Sequence, residues 1–250
     1  MNNLTALYKK EFIEAVILAN KELYTYLNKS LSLNDYEYTN IIGFGGDNSL
    51  KIDLIAENIF IKYLEKFGNI HSEECGLKTT HKEFTIIIDP LDGSNNFYSK
   101  LPYYGTSVAL QKNGISIAGF VTNLVNGEII YRAFEEEIKY FSLLEMQQFE
   151  PLKITNTKIS IFERAYEYPN ICQKLSNYHI KFRSLGAVAL SLSDAYNYDF
   201  VLYAGKIREF DILAAIYICK DLFIYRTNEY LFITKNREKY EFLKEIINEF

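Results

Sequence analysis

The chain has 250 residues, 48% hydrophobic and 24% charged, with a formal net charge of −5. That length can bury a full core in one or two domains, and an acidic balance without a long basic run makes nucleic acid a poor default partner, so no direct nucleic-acid contact is expected. No apolar run is long enough to cross a bilayer, and Cys75, Cys172 and Cys219, odd in number and without a CxxC pair, argue against a zinc site or a disulfide framework.

The opening "MNNLTALYKKEF" lacks the charge, apolar core and cleavage site of a signal peptide, so the expected compartment is a reducing cytoplasm. Residues 4–28 place Tyr8, Phe12, Ala15, Ala19, Leu23 and Leu27 on one stripe, which predicts an amphipathic helix. The glycine-rich "GFGGDNS" at 43–49 breaks the chain before a second helix over roughly 50–67, with Ile52, Ile55, Ile59 and Tyr63 inward. After the polar "HSEECGLKTTHKE", the run "FTIIID" reads as a buried strand. From 105 to 141, strand-like segments separated by "KNG" and "VNG" predict an antiparallel meander. Beyond Pro151 the elements alternate: a helix near 186–197, the strand "DFVLYA", a helix from Asp211 to Asp221, short strands and a closing helix. The mixture predicts stacked helix and sheet layers, divided near 150 into halves 1–150 and 151–250.

The strand "FTIIIDPLDGSNNF" ends on Asp89 and Asp92 with no basic residue beside them. Asp-Gly also occurs as a plain turn, but a carboxylate directly after Ile-Ile-Ile is costly unless something cancels its charge. The spacing is not that of an EF-hand; a magnesium site fits better, with the Leu91 carbonyl as a further oxygen ligand. Gly93 and Ser94 then read as a helix start whose N–H groups favour a phosphate. Carboxylates for a cation beside N–H groups for phosphate point to metal-assisted phosphoester hydrolysis. Further acids are available in Glu73-Glu74, in Asp53 early in a helix, and in Asp211 at the head of "DILAA"; read singly, each has an ordinary surface, dipole or capping explanation. His71, His81 and His179 lack metal-ligand spacing and read as surface residues, and Cys75 reads as an inert thiol.

Together these residues resemble the inositol monophosphatase and fructose-1,6-bisphosphatase superfamily, the lithium-sensitive, magnesium-dependent phosphatases. The signature D-P-[IL]-D-G-[ST]-x-N-F is matched at Asp89–Phe97, and the second, W-D-x-A-A/G, more loosely at Phe210–Ala214. An upstream G-D-x5-D-x3-E element fits Gly46, Asp47, Asp53 and Glu57, and "FRSLGAVALSL" is similar to the family's R-S-x-G-[ST]-A-A segment. The resemblance implies an α+β fold, the layered αβαβα sandwich. It implies Glu73, Asp89, the Leu91 carbonyl, Asp92 and Asp211 as ligands of two Mg²⁺, with a third, weakly held ion near Glu73. Asp53 and Ser94 would orient the water, with Glu73 sharing in catalysis, and the Gly93 and Ser94 amides would hold the phosphate. Family members are often dimers, so a homodimer is expected.

Departures bear on the substrate. Inositol-preferring members carry a glutamate where Ala204 stands, and Ala187 and Val188 follow Gly186 where small polar and alanine residues are usual. With Asp92, these positions would shape the substrate pocket; Lys206 and Arg208 are set either to meet a second phosphate or to be ordinary solvated charge. The expected activity is hydrolysis of a small sugar or polyol phosphate. A 3′-phosphonucleotide or NADP phosphatase is the alternative, disfavoured because "DGSNNF" replaces that branch's D-G-T-K-E-F. A non-enzymatic role through protein contacts, as some bacterial relatives have, is a further alternative.

Overall fold

The computed structural model describes residues 5–46, 48–79, 82–152 and 157–249; Asp47 and His81, named above, lie outside them. The first helix, Ala6–Lys29, starts where Thr5 Oγ1 accepts the Tyr8 amide at 3.1 Å and buries Phe12, Ala15, Ala19 and Leu23 along the expected stripe. The second spans Lys51–Leu64. Between them lies an unforeseen hairpin, Tyr38–Ile42 with Asn48–Leu50, whose turn is the glycine-rich break.

An eight-stranded sheet follows, ordered Gln147–Phe149, Lys139–Ser142, Glu128–Ala133, Ile115–Asn123, Gly105–Lys112, Phe84–Asp92, Asn69–Ser72 and Gly76–Lys78. The meander is antiparallel as read; only Asn69–Ser72 runs parallel to Phe84–Asp92. A five-stranded sheet holds Phe182–Arg183, Ser160–Glu163, Val201–Ala204, Tyr230–Thr234 and Phe223–Arg226. The strand Ser160–Glu163 and the helix Pro169–Asn177 were not anticipated, and the helix expected over 186–197 is only Val188–Ser193 followed by a 3₁₀ turn, Ala195–Asn197.

Alternation along the strands builds the layers, because successive side chains face opposite sides of a sheet. Ile86 and Ile88 join the core beneath the first two helices, whereas Ile87, Ala109 and Val121 face a middle core holding the helices Val188–Ser193 and Glu209–Ile218. From the second sheet, Val201 and Tyr203 close that middle core; Leu202 and Phe232 turn outward to the helices Pro169–Asn177 and Arg237–Ile247. The order is helix, sheet, helix, sheet, helix: the expected αβαβα sandwich. The helix Glu209–Ile218 lies between two sheets and is therefore apolar on nearly every side. Its close approach needs Gly119, where an added Cβ would lie 2.4 Å from the Ala214 carbonyl oxygen.

One irregularity positions the chemistry. Asp89 pairs with Ser107 and Asp92 with Gly105, so between them two residues, Pro90 and Leu91, oppose the single Thr106. In a regular strand, acids three apart would face opposite sides; the extra residue restores a common face. That face is Ile87's, turned to the middle layer. Ser107 Oγ also donates to the Phe210 carbonyl at 2.8 Å, tying the same strand to the start of the helix Glu209–Ile218.

The middle layer also covers Asp194, whose carboxyl burial pushes up to about 6, against hydrogen bonds from Asn197 and Tyr198 that favour its charge. A folded pKa above the unfolded value near 4 means the native state holds the extra proton. Stability is therefore fullest below about pH 4 and declines as pH rises through about 6, by on the order of 2 to 3 kcal/mol from this group. Asp194→Asn should flatten that decline in urea unfolding at pH 4.5 and 7.5. An unchanged pH dependence would refute the assignment.

Candidate active site

Five segments converge at the end of the strand Phe84–Asp92, in a cavity of about 120 Å³ lined by Ser49, Asp53, Glu73, Glu74, Asp89, Leu91, Asp92, Gly93, Ser94, Gly186, Val188 and Arg208. One water needs only roughly 10–15 Å³ of such space, so an ion with several waters fits. Two roomier hollows, of about 600 Å³ beside Cys172 and about 630 Å³ beside Arg132, do not gather these acids.

Asp89 and Asp92 are 2% and 5% exposed. Glu73 arrives on the loop after the parallel strand, fixed by its amide on the Ile88 carbonyl at 3.1 Å, while the hairpin closes over it through Gly45 N to Glu73 O at 2.8 Å. Asp211 sits in the first turn of the helix Glu209–Ile218, 1% exposed. Glu73, Asp89 and Asp211 each offer a carboxylate oxygen, all within 4.8 Å of one another. Hard oxygen donors packed this closely are the donor set that Mg²⁺ takes. Burial first, then Glu73, Asp92 and Asp211, raises the Asp89 pKa; burial and then Asp211 do the same to Asp92. A pocket that resists its own ionisation is one that a cation stabilises.

The remaining expected residues are distributed around this cluster. Asp53 lies in the opening turn of the helix Lys51–Leu64, where its carboxylate accepts the Leu50 amide at 2.7 Å, and Glu57 one turn on accepts the Cys75 amide at 2.9 Å, holding the Glu73 loop. Leu91 lines the cavity, its side chain belongs to the first core, and its amide donates to Asp89 Oδ1 at 3.0 Å. Gly93, at φ +86°, makes the left-handed turn into the short helix Ser94–Tyr98; a Cβ there would press 3.0 Å from that of Ala187. The Cys75 thiol, pushed up to about 11 by burial and then by Glu57, stays protonated at neutral pH.

The substrate-side positions fall in different places. Gly186 lines the cavity. Ala187 is fully buried as the N-cap of the helix Val188–Ser193, and Asp92 is committed to that helix, accepting the Val188 and Leu190 amides at 2.9 and 3.2 Å. Ala204 faces the outer core of the second sheet, and Lys206 is exposed, with its carbonyl accepting the Tyr203 hydroxyl at 2.7 Å. Arg208 is neither solvated charge nor a rim cation. It forks onto Asp211, Nε to Oδ2 at 2.9 Å and Nη2 to Oδ1 at 3.2 Å, and reaches Glu73 Oε1 from Nη1 at 2.5 Å. The acids therefore do have a basic neighbour, brought by the fold.

Sequence reasoning missed Glu163. It ends the strand Ser160–Glu163, 1% exposed, and accepts the Leu185 and Gly186 amides at 3.2 and 2.9 Å and the Ser191 hydroxyl at 2.5 Å. The signal was an acid closing the apolar run "ISIFE", the same cue that singled out Asp89.

A layered α+β chain that converges buried carboxylates beside a glycine turn into a helix has the makings of a metal-dependent phosphatase. Residues 51–222 match the inositol monophosphatase family, whose members are metal-dependent, typically on Mg²⁺. The fructose-1,6-bisphosphatase/inositol-1-monophosphatase of Methanocaldococcus jannaschii is 30% identical over 187 residues, 70% of this chain and 69% of that protein. A bifunctional NADP phosphatase/NAD kinase of the same organism is 45% identical over 75 residues, 28% of this chain but only 13% of its own length. Among solved structures, an inositol monophosphatase–fructose-1,6-bisphosphatase superposes with a TM-score of 0.77 at 21% identity, over 94% of this chain and 99% of that one. The chain belongs to the inositol monophosphatase family and is a phosphoric monoester hydrolase.

Proposed function

We propose that the chain hydrolyses a small sugar or polyol monophosphate with Mg²⁺ held by Glu73, Asp89, the Leu91 carbonyl, Asp92 and Asp211. The reading rests on one observation, the three carboxylates within 4.8 Å of one another in a cavity that also opens onto Gly93 and Ser94. Bound metal would neutralise the phosphate and lower the pKa of a water. Asp53 and the Ser94 hydroxyl, which both line the cavity, would hold that water in line with phosphorus, with Glu73 beside it. Main-chain amides at Gly93 and Ser94 would hold the phosphate, and the wall from Gly186 to Val188 would bound the sugar. Two ions, with a third weakly held near Glu73, suit the number of carboxylates. The halves 1–150 and 151–250 would each supply part of the site, the second through Asp211 and Arg208. The cysteines are free thiols, which suits a reducing cytoplasm, and no described helix is long and apolar enough to cross a membrane. Homodimerisation is read by light scattering.

The deciding experiment is phosphate release across inositol phosphates, sugar mono- and bisphosphates and NADP, with Mg²⁺ or with EDTA. Release from a sugar or polyol phosphate that EDTA abolishes is expected. NADP as the preferred substrate would favour the nucleotide reading, to which the NADP phosphatase relative gives weight. No metal-dependent release from any of them would refute both.

A further inference from the structure

Arg208 holds neither metal, water nor phosphate in that scheme, yet it lies among the carboxylates. The residue is the N-cap of the helix Glu209–Ile218, and its side chain folds back over the first turn rather than outward. Both oxygens of Asp211 accept from the guanidinium, and the third nitrogen reaches Glu73, 135 positions away in sequence. Two of the three carboxylates that converge within 4.8 Å are thus already engaged by a cation belonging to the chain. A bidentate guanidinium–carboxylate pair is a strong, directional contact, and this one is largely covered: the Arg208 side chain is 28% exposed, Glu73 12% and Asp211 2%.

We propose that Arg208 is a tethered competitor of the divalent cation, so that filling the metal site requires its guanidinium to leave Glu73 and Asp211, and Arg208 thereby sets the metal concentration at which the site fills. The inference rests on the metal-dependent reading above and adds a control that the reading does not contain. The physical ground is that a metal ligand must turn its lone pairs to the ion. With the fork in place, each Asp211 oxygen already turns one lone pair to an N–H group, and a guanidinium and a divalent ion, both positive, would be driven together between the same oxygens. Apparent affinity is then the intrinsic affinity multiplied by the fraction of molecules in which Arg208 has swung out. The displaced guanidinium remains tied to the head of the helix Glu209–Ile218 and returns when the ion departs.

The test is calorimetric titration of the full chain with Mg²⁺ alone and with Mn²⁺ alone, after EDTA treatment, in the absence of substrate. Arg208→Gln, which removes both the charge and the guanidinium fork, should bind each ion at least about tenfold more tightly than wild type, corresponding to a pocket shut in nine molecules of ten. Arg208→Lys, which keeps the charge but loses the fork, should fall between them; it also serves if the glutamine variant does not fold. Thermal melts supply a second readout: Arg208→Gln should melt lower than wild type in EDTA and gain more from saturating Mg²⁺. Equal or weaker metal binding by the variants, with wild type binding normally, would overturn the proposal and leave the phosphatase reading standing. No metal binding by wild type or variants would remove both.

Discussion

Asp89→Asn is expected to lower metal-dependent phosphate release by at least ~100-fold while leaving the metal-free protein as stable as wild type or more so. The first half follows from position. Asp89 is the carboxylate that faces Glu73, Asp92 and Asp211 together, and outer-shell changes alone typically cost 10–100-fold in metal sites. The second half follows from cost. Asp89 is 2% exposed and its charge is opposed by burial and by its acidic neighbours, so a neutral side chain of the same shape relieves that opposition. Asparagine still accepts the Leu91 amide that Asp89 Oδ1 takes at 3.0 Å. Paired assays settle it: phosphate release in Mg²⁺, and thermal melting in EDTA. Near-wild-type turnover would remove Asp89 from the chemistry; a large loss of stability in EDTA would assign it a structural role instead.

Gly119→Ala should be the most damaging small change far from the cavity. The added methyl would sit 2.4 Å from the Ala214 carbonyl oxygen and 3.0 Å from its Cα, both backbone atoms of the helix Glu209–Ile218. Neither side can yield by changing a rotamer, so the helix must lift from the strand Ile115–Asn123. Overpacking of this kind costs about 1–3 kcal/mol, and in a chain of this size each kcal/mol lowers the Tm by roughly 2–4 °C. The same displacement carries Asp211 and Arg208 away from Asp89, because both ride at the head of that helix. A lower Tm should therefore come with weaker Mg²⁺ binding. A variant that melts lower yet binds Mg²⁺ as wild type does would mean that the helix head is held independently, by Ser107 on the Phe210 carbonyl.

What could be read from the sequence was local. The amphipathic stripe of the first helix, each strand and turn of the meander and the acids closing "FTIIID" are signals carried by neighbouring residues, within the range over which periodicity carries information. The hairpin at 38–50 escaped because four of the five residues of Tyr38–Ile42 are exposed, leaving no alternation to detect. Ser160–Glu163 escaped because four fully buried residues give no period either. The common face of Asp89 and Asp92 was hidden for another reason: the sequence gives no sign that a bulge falls between them, and only the pairing with Ser107 and Gly105 reveals it. For Arg208, the pairing with Asp211 three positions on is within reach of helix spacing, whereas the pairing with Glu73 depends on how distant segments meet.

The loop ahead of the helix Val188–Ser193 is gripped from both sheets. Asp92, ending a strand of the first, takes the Val188 and Leu190 amides, and Glu163, ending a strand of the second, takes those of Leu185 and Gly186. These contacts are made to the main chain, so new side chains at 185–188 would inherit the same backbone path. Divergence in what this enzyme accepts would then come from the side chains set on that fixed path, and directed evolution for altered substrate range is best begun at Val188, which lines the cavity.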